Sequence, residues 1–273
     1  MLSSLAPARR RLVVGIVALV LLAALVAVGI AIAGGSSRGK AGTAPPVAQS
    51  RPGPVLLLPG YGGSTTGLRV LAGRLRTSGR GVEVVSLPDN AQGDLRAQAR
   101  VVASAAKAAM ARAGAASVDV VGYSAGGVVA RIWLKEDGGA AIARRVVTLG
   151  APQHGTELAT LGSLFQGECP TACQQLTPTS DVLAALNADN ELPAGPAVIS
   201  LWSSSDEVVI PPRSAELKGA LNIEIQQVCA GSTVRHGALP TDPLVSAMVA
   251  VELGGSRPTS LTARDCARLS KGS

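Results

Sequence analysis

The chain has 273 residues, 47% of them apolar, with a formal net charge of +7, four cysteines, two histidines and five aromatic residues. The charge is unevenly placed: residues 1–53 hold Arg9, Arg10, Arg11, Arg38, Lys40 and Arg51 and no acid, so residues 54–273 carry 19 bases against 18 acids. A nearly neutral body with few aromatics excludes a basic, stacking nucleic-acid groove. Scarce histidines and scattered cysteines exclude a Cys/His zinc cluster, so neither nucleic acid nor metal is expected.

Leu12 to Ala33 runs for 22 residues without a charge, Asn, Gln or Pro, directly after the arginine triplet. As a helix it would span roughly 33 Å, enough to cross a bilayer core. The arginines would hold the N-terminus in the cytoplasm and send the rest outside. The alternative is a signal peptide cleaved near Ala33, since Ala31-Ile32-Ala33 has the small-x-small form; its apolar core exceeds the usual 7–15 residues, which favours a retained anchor. Both readings export the domain. Residues 34–53, rich in Gly, Ser, Ala and Pro, are expected to be a flexible linker, leaving residues 54–273 as one catalytic domain with room for a substantial core.

From residue 54, short apolar runs alternate with amphipathic ones. Val55–Leu58 is an all-apolar strand suited to a sheet covered on both faces. A helix follows with Leu68, Leu71 and Leu75 on one face, Ser64 or Thr65 as N-cap and Gly79 as its stop. Val82–Leu87 is the next strand. Asp94 then caps a long helix that turns Leu95, Ala99, Val102, Ala106 and Met110 inward and Arg96, Arg100 and Lys107 outward. Val118–Val121 is a strand, Ala125–Glu136 a helix closed by Gly138-Gly139, and Arg145–Leu149 a further strand. Strands at Ala197–Trp202 and Ile223–Val228 and a helix at Pro243–Leu253 complete the pattern. Such alternation predicts an α/β fold, a mostly parallel sheet with helices on both faces. Residues 156–193 form the exception, an insertion between two strands with one short helical pattern at Val182–Leu186. Long insertions at such places tend to be functional. Its Leu158, Leu161, Leu164 and Phe165 face either lipid, as a lid would, or the core.

Gly122-Tyr123-Ser124-Ala125-Gly126 fits G-x-S-x-G, with an apolar strand before it and an apolar helix after it. That is the setting in which a serine is held on a strained turn above a sheet, and side chains in place of the flanking glycines would collide across it. Serine needs a base, and only His154 and His236 are available. In sheets of this kind the acid lies between serine and histidine in the chain, which selects His236 as base. Asp206, just past the strand ending at Trp202, is the orienting acid. Glu207 is expected to point elsewhere, Asp181 and Asp189 to be cap or surface residues of the insertion, and His154 to bond backbone where the insertion leaves the sheet. Acyl transfer also needs two N–H donors for an oxyanion. Ala125 supplies one, and Tyr61, in the loop Leu58-Pro-Gly-Tyr-Gly-Gly63, the other.

These residues resemble the α/β-hydrolase superfamily, and within it the small secreted bacterial lipases and esterases. Leu56–Gly63 is similar to that family's strand and oxyanion loop, and Val120–Arg131 to its nucleophile turn and helix. Leu149–Thr156 is similar to its entry into the cap, Ser205–Val209 to its acid turn, and Val234–Pro240 to its histidine loop. The family often has His-Gly where this chain has Pro59-Gly60, which removes a supporting side chain but leaves the backbone donor. The resemblance implies carboxylic ester hydrolysis by a triad of Ser124, His236 and Asp206, on ester or lipid substrates, with a cap or lid insertion. No cofactor is required, and a monomer is expected. Two other readings use the same residues: an envelope acyltransferase or amidase with a different acceptor, and a non-catalytic membrane-tethered binding module. Export puts the four cysteines in an oxidising compartment, where three pairings are open. The favoured one joins Cys169 to Cys173 as a clip in the insertion and Cys229 to Cys266 as a pin on the C-terminal tail.

Overall fold

The computed structural model describes residues 47–159 and 169–271. The expected anchor at 12–33, its cleavage site and most of the linker lie outside them, and no described helix is long and apolar enough to cross a membrane.

The described residues hold six strands, β1 (Val55–Leu58), β2 (Val82–Val84), β3 (Val118–Tyr123), β4 (Ala143–Leu149), β5 (Ala197–Trp202) and β6 (Leu221–Glu224). They form one sheet in the order β2-β1-β3-β4-β5-β6, every pair parallel. The helices that lie wholly within the described residues are α1 (Thr66–Arg76), α2 (Leu95–Ala113), α3 (Ala125–Glu136), α4 (Thr171–Gln175), α5 (Asp181–Asn187), α6 (Ile225–Val228), α7 (Pro243–Gly254) and α8 (Cys266–Ser270).

Successive strand residues point to opposite faces, and in the central strands both faces are buried. Leu56, Leu58, Val120 and Val146 pack with Val102 of α2 and Val128 and Ile132 of α3. Their neighbours Val55, Leu57, Val121 and Val147 pack with Leu71 of α1 and Met248 of α7. Burying each such side chain contributes about 1.5–3 kcal/mol, which is why continuous apolar runs become central strands. The Asp94 carboxylate accepts from Ala97 N–H at 2.7 Å at the start of α2, and Gly114, at φ +58°, ends the helix. Thr65 occupies the N-cap of α1 without a side-chain capping bond.

Several boundaries differ from the sequence reading. The strand expected over Val82–Leu87 ends at Val84, with one more bond from Val85 N–H to the Leu57 carbonyl at 2.9 Å, because the chain leaves this edge strand for a turn at Pro88–Ala91. The expected strand Ile223–Val228 is instead β6 followed by the helical turn α6. Ile225 and Val228 sit three apart and bury together, a helical spacing that reads as an apolar strand in so short a run. In α2, Ala109 is buried while Met110 is only half-buried. The insertion contains α4 as well as α5, and Leu161, Leu164 and Phe165 lie outside the described residues.

The end of the expected linker lies on the body. Gln49 donates to the Arg144 carbonyl at 3.0 Å, Ser117 Oγ donates to the Arg51 carbonyl at 3.2 Å, and Gly53 is pressed against Ser117, whose oxygen would be 1.7 Å from an added Cβ. At the other end of the sheet, β1 leads outward to β2 while β3 continues in the opposite direction. This reversal opens a crevice beyond the carboxyl ends of β1 and β3.

Candidate active site

Ser124 stands between β3 and α3 at φ 53° and ψ −127°, a backbone region that costs a side-chain-bearing residue of order 1–3 kcal/mol. Its neighbours over-determine it. Ser124 N–H donates to the Leu149 carbonyl at 2.9 Å, tying the turn to β4. A Cβ on Gly122 would lie 2.6 Å from the Gly126 carbonyl oxygen, and one on Gly126 would lie 2.5 Å from that of Pro59. Gly127 is equally constrained, since a methyl there would meet Ala151 Cβ at 2.4 Å. Gly122, Gly126 and Gly127 therefore let the loop after β1, the turn and β4 converge on one hydroxyl.

His236 Nε2 is 3.0 Å from Ser124 Oγ, and its Nδ1 is 2.7 Å from Asp206 Oδ2. Asp206 Oδ1 accepts from the N–H groups of Val208 and Val209, both at 2.9 Å, which fixes the carboxylate's orientation. Both Asp206 and His236 are buried. With Nδ1 donating to the carboxylate, Nε2 is left to accept the serine proton.

The loop after β1 lies against the serine: a Cβ on Gly60 would be 2.8 Å from Ser124 Cβ and 3.4 Å from its Oγ. Tyr61 N–H, next in that loop, and Ala125 N–H, first in α3, donate to no acceptor among the described residues. A cavity of about 250 Å³ opens beside Ser124, lined by Tyr61, Leu158, Cys173, Leu176, Val208 and Val209 among others. Its walls are largely apolar. Leu158, in the insertion, and Tyr61 are each about two-fifths exposed at its edge.

Three contributions went unread in the sequence. Gly150, after β4, has φ +52°, and a Cβ there would sit 2.6 Å from Leu239 Cδ1 and 2.9 Å from Asp206 Oδ2. A glycine directly after a strand end, in Leu149-Gly-Ala-Pro152, was the available signal. Glu207 leaves the imidazole alone, as expected, but its Oε2 accepts from His236 N–H at 3.2 Å. Arg131 of α3 donates to the carbonyls of Glu191, Gln153 and Leu186 at 2.9, 3.2 and 2.7 Å and so ties the insertion to the helix behind the serine. Burial, opposed by the Glu191 charge, pulls its guanidinium down to about 10. His154 Nδ1 lies 3.3 Å from the Ser214 carbonyl and Nε2 3.3 Å from Glu191 Oε1, apart from the Ser124 chain of contacts. Asp181 and Asp189 are exposed in the insertion. Disulfides join Cys169 to Cys173, at the cavity wall, and Cys229 to Cys266.

A family model described as lipase (class 2) matches residues 106–242. No curated protein matches the sequence at a significant level. Among solved structures, lipase B of Aspergillus fumigatus superposes with a TM-score of 0.70 at 21% identity, over 85% of this chain and 58% of that one. The mature form of the Bacillus licheniformis lipase BlEst2 gives 0.57 at 18% identity, over 64% and 82%. The lin2722 product of Listeria innocua gives 0.54 at 17%, over 77% and 96%. The chain thus spans little more than half the length of the Aspergillus enzyme, and at these identities the likeness is one of fold.

Proposed function

Since the chain belongs to the class 2 lipase family and has the α/β-hydrolase fold, we propose that it is a serine hydrolase of carboxylic esters, acting through an acyl-enzyme on Ser124. The observation that carries this reading is the chain of contacts from Ser124 Oγ through His236 to Asp206, at 3.0 and 2.7 Å, beside an apolar cavity.

His236 Nε2 takes the Ser124 proton as Oγ attacks the ester carbonyl, and Asp206 stabilises the imidazolium that forms. The tetrahedral oxyanion is held by Tyr61 N–H and Ala125 N–H, donors with no acceptor of their own among the described residues. His236 then gives its proton to the departing alcohol. A water molecule, deprotonated by the same nitrogen, releases the acid and restores the hydroxyl. The apolar walls suit the acyl part of an ester.

The same proposal puts the domain outside the cytoplasm, where two disulfides form and persist. Residues 12–33 would tether it there, or release it by cleavage near Ala33. Turnover of p-nitrophenyl esters of graded chain length by the purified chain tests the reading. Ser124→Ala should abolish it; unchanged turnover in that variant would sink the assignment. Product analysis with competing alcohols separates hydrolysis from acyl transfer.

A further inference from the structure

His236 lies at the start of a three-residue turn, His236–Ala238, after a stretch from Cys229 to Arg235 that belongs to no helix or strand. Regular secondary structure therefore does not fix the base. The Asp206 carboxylate restrains only the ring, and a swing of the peptide would carry Nε2 away from Ser124 even with that bond kept. Both polar ends of the His236 residue are nevertheless held. Its N–H donates to Glu207 Oε2 at 3.2 Å, and its carbonyl accepts from the Tyr123 hydroxyl at 3.2 Å as well as from Leu239 N–H within its own short turn at 3.2 Å, so the tyrosine is what ties that turn to the sheet. The Tyr123 ring also packs on the imidazole, with centroids 5.2 Å apart and planes tilted by 35°.

We propose that Tyr123 and Glu207 are positioning residues for the general base, so that two adjacent pairs grip one histidine: Ser124 and Asp206 engage its ring, while their chain neighbours Tyr123 and Glu207 hold its backbone. The inference rests on the reading of His236 as the base. The arrangement follows from the local chain. Tyr123 is the last residue of β3 and is anchored by the sheet, while Glu207 shares the turn whose N–H groups fix Asp206. Each loop thus sets the distance of a reacting atom and the seat of the base together. Burial, followed by the charges of Asp206 and Glu207, pushes the Tyr123 phenol up to about 12, so it remains a protonated donor throughout the working range. Glu207 is exposed and competes with water, so Tyr123 carries the larger share. A misplacement of about 1 Å at a reacting group can cost on the order of 10²-fold in rate, and loss of one of several restraints should cost less.

The test uses the full-length chain and two readouts, steady-state hydrolysis of a p-nitrophenyl ester and the rate at which a fluorophosphonate labels Ser124. Tyr123→Phe keeps the ring and removes the hydroxyl. It should lower kcat and the labelling rate together by about five- to tenfold, with KM changed less than twofold and Tm unaltered. Glu207→Ala should lower both about two- to threefold, and Glu207→Gln, whose amide oxygen still accepts an N–H bond, should restore them. Tyr123→Phe with kcat and labelling within twofold of wild type, a loss confined to KM, or a loss that tracks a lowered Tm would overturn the proposal alone. A wild-type chain that neither turns over esters nor takes the label would overturn the reading of the whole site, and this inference with it.

Discussion

The two ends of the sheet bury charge for opposite purposes. At the amino ends of β3 and β4, Asp119 and Arg144 are fully buried, and every oxygen of the carboxylate is engaged. Oδ1 accepts from Arg144 Nε at 2.9 Å, and Oδ2 accepts from Arg80 at 2.6 Å and from a second Arg144 nitrogen. Arg144 also reaches the carbonyls of Gln49 and Leu253, at 2.9 and 2.6 Å, so this cluster fastens the incoming chain and the end of α7 beneath the sheet. At the carboxyl ends, the Ser124 hydroxyl has His236 as its one side-chain partner among the described residues, two backbone donors stand free, and the serine backbone is strained. Buried charge therefore does not mark the site. Asp206 is as fully bonded as Asp119, and what sets the carboxyl end apart is a strained serine and two unused N–H donors beside a cavity.

Substitutions at the two ends should separate activity from stability. Ser124→Ala should cost on the order of 10⁴-fold or more in kcat with little change in Tm, since it removes the proposed nucleophile and no packing. Asp119→Ala should do the reverse. Leaving Arg144 and Arg80 without their counter-charge should cost about 3–5 kcal/mol, a fall in Tm of roughly 6–20 °C at about 2–4 °C per kcal/mol, with kcat of the folded fraction unchanged. A loss of kcat in the folded Asp119 variant would break the division. Gly150→Ala belongs to both classes: its methyl would press on Leu239 and Asp206, at a φ of +52° that costs an L-residue about 1–2 kcal/mol. About 10²-fold in kcat and a fall of a few degrees in Tm are expected, read by turnover and thermal melting of the same sample.

Much of this was legible because burial leaves a local trace. The runs Val55–Leu58 and Ala197–Trp202 announce central strands, the spacing of Leu95, Ala99 and Val102 announces an inward helix face, and Ser124 and Asp206 stand just past such runs, whereas His236 is singled out by its order in the chain and the scarcity of histidine. What stayed hidden depends on partners remote in sequence. Gly150 reads as any loop glycine until Leu239 and Asp206 are folded against it, and Glu207 until the His236 peptide arrives. The Asp119–Arg144 network hides within two strands whose apolar neighbours dominate the pattern. The helix α8 is only five residues long, too short to show a period, and is held by the Cys229–Cys266 bond and the buried Leu269.

The amino end also contains one carboxylate whose bonding is incomplete, and it yields the smallest predicted effect. Glu252 is buried in α7; its Oε2 accepts from Thr259 N–H at 3.1 Å, but Oε1 has no partner among the described residues. Arg145 bonds the Glu252 backbone carbonyl rather than its carboxylate. Burial pushes the Glu252 carboxyl above the usual glutamate range, with the Thr259 bond and the Arg145 charge pulling it partly back. A folded-state value raised in this way means that its favourable contribution is complete below the unfolded-chain value and is lost as pH rises through the folded one. At neutral pH the ionised side chain is therefore a net cost. Glu252→Gln should raise Tm at pH 7 by roughly 1–3 °C, the scale of under 1 kcal/mol, and the gain should vanish as pH falls to about 4. Paired melting curves across that range check the sign. A variant less stable than wild type at pH 7 would show the charge working with Arg145 as an ion pair, moving Glu252 into the class of Asp119.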